Sequence, residues 1–457
     1  MPDEQPQNPA CEEASKTRRS PRARHRARGC PLLDLAEQAW RGELDLQFEH
    51  HPVHRYYPGS CRLADGLLGF KGIAGFYVID SGDGLVMLDA GHLLDVRRCF
   101  EDTRREWPDT PVVAAIYSHH HVDHVFSVTA FDAEAEERGW PRPTVYAHER
   151  VPAHFDRYRA TLGWNTAINR RQFAIDAPHY RWPDSYRYPD VLYRGNLTFR
   201  RGELTFELTH GRGETDDITW TWIPERRILH TGDLFIWAVP NAGNPQKVQR
   251  YVGDWADSLE RMVPLGAEIL LPGHGLPILG ADRVRRALDG TARYLRSIEE
   301  QSVAAMNRGL SLDQVLQAVT PPADLADEPY LQPVYDDPSF LVRMVWRRYG
   351  GWWDGEFDNV VPATKREQAA AWVELAGGID RVVERALAAS SDGDHAVACH
   401  LIEAVLHAAP GNDGVHEARA AIYRANAGTQ VSSMARNILN HAALASDQGR
   451  RDLASDD

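Results

Sequence analysis

No apolar run in the chain approaches the length of a bilayer crossing, so no membrane partner is expected. Cysteine is sparse: Cys11, Cys30, Cys61, Cys99 and Cys399 are scattered, odd in number and free of any CxxC pair. That excludes a cysteine-based zinc site and argues against a disulfide framework. Reduced thiols and a cytoplasmic location are the expectation. Basic charge is in deficit, with 51 Lys and Arg against 65 Asp and Glu and a formal net charge of −14. A general nucleic-acid binder needs a basic surface and is excluded. Any binding site for an anion must therefore be local. Residues 1–30 are the exception, with basic residues such as Arg18, Arg19, Arg22 and Arg24 among Pro, Gln and Ser. They read as a disordered basic tail. Arg18-Arg19 lacks the apolar stretch that would make it a twin-arginine export signal.

The chain has 457 residues, 43% of them hydrophobic, enough for two or three soluble domains. Its most informative segment is Ser118-His119-His120-His121-Val122-Asp123-His124, directly after the β-branched run Val112-Val113-Ala114-Ala115-Ile116-Tyr117. Such a run reads as a buried strand, which puts the His/Asp cluster on a strand-end loop. Extended backbone turns His119 and His121 to one side and His120 to the other. Asp123 and His124 follow where the chain turns. Imidazole and carboxylate together suit Zn²⁺ and related divalent ions. A solvated His-rich loop is the bland alternative, and two ligand pairs in register after a buried strand weigh against it.

The spacing His-x-His-x-Asp-His resembles the signature of the metallo-β-lactamase fold superfamily. That resemblance implies further ligands at the ends of later strands, and three segments meet the requirement in order. Leu204 to Thr209 alternates like a strand and leads to His210, Gly213, Glu214 and Asp217. Ile218 to Ile223 and Ile228 to Asp233 read as a hairpin ending in an acid. Glu268 to His274 is an apolar strand ending in a histidine. The resemblance implies His119 and His121 on a first metal, Asp123, His124 and His274 on a second, and Asp233 bridging both. Glu214 stands where many members have a histidine and completes the first site, with Asp217 as fallback. A carboxylate there makes that site harder, so the implied pair of Zn²⁺ ions has Mn²⁺ or Fe²⁺ as alternatives. Asp89 matches the structural acid that orients a ligand. His120, His148, His210 and His230 read as non-ligands.

Outside the metal loops, Glu214, the run Asn165-Thr166-Ala167-Ile168-Asn169-Arg170-Arg171, and Arg347-Arg348-Tyr349-Gly350-Gly351-Trp352-Trp353 resemble the alkylsulfatase branch and its dimerisation domain. The fold class implied is α/β, a metallo-β-lactamase αβ/βα sandwich followed by an all-α helical domain. The division is a tail over 1–30, a catalytic domain over 31–280, a helical dimerisation domain over 281–447 and a polar tail over 448–457. The implied activity is hydrolysis of a small-molecule sulfate ester by C–O cleavage, with Asp123 catalytic and a homodimer as the assembly. The branch's sulfate-binding Arg falls at Gln246, with Lys247 or Arg250 as substitutes; Asn241, Arg170 and Lys247 are the substrate-binding candidates. A counterpart of the sterol-carrier-like domain of the branch's detergent-cleaving members is not expected among these 457 residues. Lactonase, thioesterase or phosphodiesterase activity on the same centre, or a non-catalytic assembly protein, are the rival readings.

Helical spacing is expected over 31–40, 96–107, 254–263 and from 281 onward, with Asp254 as N-cap, a stop at Gly309 and a capping start at Ser311. Helices over 380–389, 394–409 and 415–427 resemble one tetratricopeptide-like hairpin and part of another. Residues 151–188 read as a long aromatic- and Arg-rich insertion. Its Tyr158, Trp164, Arg170 and Phe173 either line a pocket or pack beneath it. Trp346, Tyr349, Trp352 and Trp353 form either an interface or an inter-domain core.

Overall fold

The structure is a computed structural model, and it describes residues 29–44, 51–57 and 59–454. The basic tail, but for Gly29 and Cys30, lies outside the described residues, as do 455–457 of the polar tail. The chain enters through α1 (Pro31–Trp40) and builds a first sheet from β1 (Ser60–Ala64), β2 (Leu67–Lys71), β3 (Gly75–Asp80), β4 (Leu85–Leu88), β5 (Val112–Ile116), β6 (Thr144–His148) and β7 (Val191–Tyr193), in that spatial order. Strands β1 to β4 pair antiparallel, and β4 to β7 run parallel. Parallel strands need crossovers. These are α2 (Val96–Glu106), α3 (Val128–Arg138), and the pair α4 (Val151–Ala160) and α5 (Leu162–Gln172).

The second sheet contains β8 (Asn196–Arg201), β9 (Leu204–Gly211), β10 (Ile218–Ile223), β11 (Ile228–Ile236), β12 (Ile269–His274) and β13 (Ile278–Leu279), in the order β13-β12-β11-β10-β9-β8. α6 (Val252–Met262) joins β11 to β12, which pair parallel. Strand alternation explains how the first sheet buries both faces. Tyr77, Ile79, Leu88 and Ile116 face the second sheet, against Phe206, Leu208 and Ile228. Val78, Met87 and Ala115 face outward, onto Cys99 of α2 and Phe131 of α3. The sandwich expected from the sequence is the one observed.

Helices follow: α7 (Ala281–Asn307), α8 (Leu312–Ala318), α9 (Pro338–Gly350), α10 (Lys365–Leu375), α11 (Ile379–Ser391), α12 (His395–Ala408), α13 (Asp413–Thr429) and α14 (Ser433–Asp447). Ser311 and Gln314 form the expected capping box. Val284, Leu288 and Leu295 of α7 belong to the same core as the sheets, as do Leu341 and Val345 of α9. Helices α10 to α13 hold a core of their own around Val382, Ile402 and Ile422. α14 returns to the sandwich and packs on α5. Beside it, Arg171 pairs with Asp452 at 2.6 Å.

Three expectations change. The insertion over 151–188 is helical in its first half. α6 starts at Val252 with Tyr251 at the N-cap, so Asp254 lies in the first turn instead. Most important, Cys30 and Cys61 form a disulfide, with Cα atoms 5.5 Å apart. The thiols of these two residues are therefore not reduced. Their separation of 31 positions hid the pairing, which arises because α1 lies against β1. Cys99 and Cys399 are free. Replacing Cys30 and Cys61 by Ser should lower the unfolding free energy by about 2–4 kcal/mol. Denaturant unfolding of the two proteins side by side measures this.

Candidate metal centre

The strand ends of both sheets meet at one edge of the sandwich. Immediately after β4, Asp89 adopts φ +57°, a left-handed conformation that short polar residues tolerate. From there its carboxylate accepts hydrogen bonds from Ser118 N (2.6 Å), Ser118 Oγ (2.8 Å) and His124 Nδ1 (2.7 Å). The loop after β5 is thus tied down at its first residue and at its last ligand. Close approach of the second sheet requires glycine at two places. A Cβ on Gly232 (φ +50°) would lie 2.5 Å from Ser118 Cβ, and one on Gly273 would lie 2.0 Å from Asp233 Oδ1.

The expected metal donors converge. His119, His121 and Asp233 form one group and Asp123, His124 and His274 another, each with donor atoms within 4.8 Å of one another. Asp233 stands between them: its carboxylate lies 3.6 Å from His119 Nε2, 3.4 Å from His124 Nε2 and 3.4 Å from His274 Nε2. Asp123 Oδ2 is 3.3 Å from His274 Nε2 and 3.7 Å from His124 Nε2. Ligand atoms about 2.0–2.1 Å from a shared tetrahedral ion lie roughly 3.4 Å apart, so these spacings fit a divalent cation. His124 Nε2 and Asp233 Oδ1 are buried without a hydrogen-bond partner, as ligand atoms aimed at an ion would be. The second nitrogens are engaged as a ligand's should be: His274 Nδ1 donates to Ile73 O (3.0 Å), and His119 Nδ1 is 2.9 Å from Ser118 Oγ.

Glu214 reaches the first group, 3.7 Å from His121 Nδ1. Burial, together with the Asp233 carboxylate, pushes Glu214 up to about 8, although the Arg250 guanidinium opposes the shift. Asn241 Nδ2 donates to Glu214 Oε1 at 2.9 Å, and Arg250 Nη1 donates to Glu214 Oε1 and Asn241 O. Arg250 is only 2% exposed, so of the residues offered for the missing arginine it is the one inside the centre. Gln246 instead donates to Ile168 O. Lys247 Nζ lies 3.4 Å from Asn169 Oδ1 and above the Trp182 ring. Burial, aided by Arg250, pushes this amine down to about 7. Arg170 is half-buried, and among the described residues no hydrogen bond or ion pair joins it to the metal donors.

Asp217, the fallback ligand, does not join either group. It accepts from His120 N and Nδ1 (3.1 and 2.9 Å) and from Thr215 Oγ1 (2.5 Å). His210 Nε2 bonds Asp216 O, and His148 stacks on His210 with ring centroids 3.9 Å apart. His230 Nε2 is 3.4 Å from Asp89. Tyr158 is buried, whereas Trp164 and Phe173 are exposed.

Three residues near the centre gave no signal in the sequence. Arg157 on α4 contacts His120 Nε2 (3.1 Å). Tyr335 Oη accepts from Gln172 at 3.1 Å, and Asp336 Oδ2 accepts from Gly243 N at 2.7 Å. The last two come from a loop between α8 and α9, far away in sequence and without a motif.

Residues 74–274 match the model of the metallo-beta-lactamase superfamily. They form a metallo-β-lactamase domain. Residues 311–449 match the model of the alkyl sulfatase dimerisation domain. The chain is 25% identical over 335 residues to a linear primary-alkylsulfatase from Pseudomonas sp., covering 69% of this chain and 63% of that protein. It is 26% identical over 366 residues to an (R)-specific secondary-alkylsulfatase from Pseudomonas sp., covering 74% and 55%. The chain spans between about half and two thirds of the length of the curated relatives it matches. A stereoselective inverting sec-alkylsulfatase from Pseudomonas sp. superposes with a TM-score of 0.78 at 23% identity, over 86% of this chain and 66% of that one. The metallo-β-lactamase domain and its His/Asp groups support a metal cofactor.

Asp89 orients the loop after β5 without belonging to either donor group. Asp89→Ala should weaken metal affinity about 10–100-fold, the usual cost of removing a ligand's carboxylate partner. Competition with a chromogenic chelator reads this directly.

Proposed function

We propose that the protein is a metal-dependent hydrolase that cleaves a sulfate ester with water. The observation that carries this reading is the two donor groups with Asp233 between them, set in a metallo-β-lactamase domain beside an alkylsulfatase-type helical domain. His119, His121 and Glu214 would hold one ion, Asp123, His124 and His274 the other, and Asp233 both. Two Zn²⁺ ions suit these imidazoles and carboxylates, and the extra carboxylate of Glu214 keeps Mn²⁺ or Fe²⁺ within reach. When bound, such ions supply Lewis acidity and lower the pKa of water towards neutrality.

The chain's own residues supply the rest. Asp123 is ionised, held below the usual carboxylate range by His124 and His274 although burial opposes this. Its carboxylate orients the attacking water and accepts the proton it loses. The water oxygen bonds to the ester carbon, the C–O bond breaks, and sulfate departs with the bonding electrons. Lys247 offers a cation to that departing charge. Asn241 and Arg250 hold Glu214 in place, and Arg170 stands one residue from Asn169, the partner of Lys247.

Residues 31–280 act as the catalytic domain and 281–447 as the helical one. The helical domain serves as the homodimer contact. Trp352 is 78% exposed, Phe357 85% and Leu375 79%, a concentration of large apolar surface that a second copy would cover. Light scattering should therefore give twice the chain mass, and Phe357→Asp with Leu375→Asp should return it to the monomer. A cytoplasmic location rests on Cys99 and Cys399 alone, because the Cys30–Cys61 disulfide is of a kind that oxidising compartments preserve.

The test is a hydrolysis panel of alkyl sulfates, lactones, thioesters and phosphodiesters. Alkyl sulfates should be the best substrates. Chelator should remove the metal and the activity together, and Asp123→Ala should reduce turnover by at least about 1,000-fold with the circular dichroism unchanged. Turnover of lactones, thioesters or phosphodiesters in place of alkyl sulfates would transfer the same centre to one of those classes.

A further inference from the structure

One cation beside the metal centre has no acid to neutralise it among the described residues. Arg157 makes no ion pair among the described residues, and the one hydrogen bond of its guanidinium there is to His120 Nε2, at 3.1 Å. The acids around it are already engaged. Asp216 pairs with His154 (2.6 Å) and Arg150 (2.5 Å), and Asp217 is committed to His120 and Thr215.

The link to His120 fixes where the guanidinium sits. A carboxylate only accepts, so the bond from His120 Nδ1 to Asp217 places the proton on Nδ1 and leaves Nε2 as an acceptor. Arg157 donates to that lone pair. His120 lies between two metal donors in the chain, and its ring centroid is 4.9 Å from that of His121. Arg157 is thus held one side chain away from the centre. The same bond argues against a third metal on His120, His154 and Asp217, which lie close enough together for one. The imidazole nitrogen such an ion would need is occupied by an N–H donor.

A second cation completes the arrangement. Lys247 also lacks an ion pair among the described residues, and its Nζ lies 5.4 Å from the Trp182 ring centroid. Trp182 meets Tyr158 edge-on at 5.3 Å, and the Arg157 guanidinium lies 5.8 Å from the Tyr158 ring. An aromatic pair is therefore flanked by two basic side chains, neither of which has an ion pair among the described residues. In a chain of net charge −14 this is a local reversal of sign, and an anion placed between them would relieve their repulsion. A planar guanidinium matches the paired oxygens of a sulfate group in a way an ammonium does not. Arg250 is turned to the interior instead, where its Nη1 donates to Glu214 and to Asn241 O.

We propose that Arg157, aimed by His120 and Asp217, is the guanidinium that binds the anionic sulfate group of the substrate, with Lys247 on the opposite side. This rests on the sulfate-ester reading above and names the residue that recognises the group. It also answers the sequence's apparent loss of an arginine at Gln246: the charge comes from α4 instead.

The test uses the metal-loaded protein and two readouts, KM and kcat for a linear alkyl sulfate and the dissociation constant of inorganic sulfate by calorimetry. Arg157→Ala and Arg157→Gln should each raise KM and weaken sulfate binding about 10–100-fold, with metal content and circular dichroism unchanged. Arg157→Lys should recover part of the affinity, as a point charge without the fork. If the Ala variant fails to fold, the Gln variant, which keeps the apolar stem, decides. Wild-type sulfate affinity and KM in a folded, metal-loaded Gln variant would overturn the proposal. Should the wild-type protein cleave no alkyl sulfate, the hydrolase reading fails on its own, and the calorimetry still decides whether Arg157 is an anion contact.

Discussion

The concentration of buried negative charge around Asp233 is the constraint on which the site depends. Asp89, Asp217, Asp233 and Glu214 are all buried, and Asp123 is nearly so. Carboxylates brought this close inside a protein repel one another strongly unless positive charge is placed among them. Without ions, protons take that place. His124 is held well above its ordinary value by Asp233, Asp89 and Asp123 although burial opposes this, and His274 is pushed up to about 10 in the same way. These are the nitrogens that face Asp233. Metal binding must displace their protons, so occupancy and pH are linked by construction. The histidines and acids are poised for a cation heavier than a proton.

Holding those charges together falls to the backbone. Asp233 reaches the loop after β5 only because Gly232 and Gly273 leave no side chain in the way. The parallel pairing of β11 with β12 sets Gly232 opposite Pro272 and brings His274 opposite Ile236. On the other sheet, Asp89 uses a left-handed turn to face back toward Ser118. Each sheet thus contributes ligands from strand ends, where side chains can converge while the strands keep the two apolar faces packed.

What was legible in the sequence follows from this division. The cluster His119, His121, Asp123 and His124 stands beside a β-branched run and so announces itself by local pattern. Asp233, His274 and Glu214 became candidate donors through the family resemblance, which pointed to the ends of later strands. Long-range consequences of packing left no such trace. The Cys30–Cys61 disulfide needs α1 to lie against β1, and no spacing rule encodes that. Arg157 looks like any surface arginine on a polar helix until α4 is docked over His120. Gln246 aligned with an expected arginine only as a count of positions; in three dimensions its amide turns to Ile168 O while Arg250 enters the interior.

The helical region is bound into the same electrostatic system. Asp336 accepts from Gly243 N and so steadies the loop that carries Asn241, whose amide in turn holds Glu214. Burial pushes Asp336 up to about 7, a cost that its backbone donors and Arg250 only partly offset. A carboxylate kept at that cost in a loop between helices is there because the adjacent β11–α6 connection needs an acceptor. Tyr335 beside it accepts from Gln172 on α5, and its carbonyl takes the Ser432 hydroxyl at the start of α14. Thus α5, which carries Asn169 toward Lys247, is clamped from the helical side. The Lys247–Asn169 contact thus lies on an element clamped by the helices, while the candidate metal donors stand on strand ends set by the sheets.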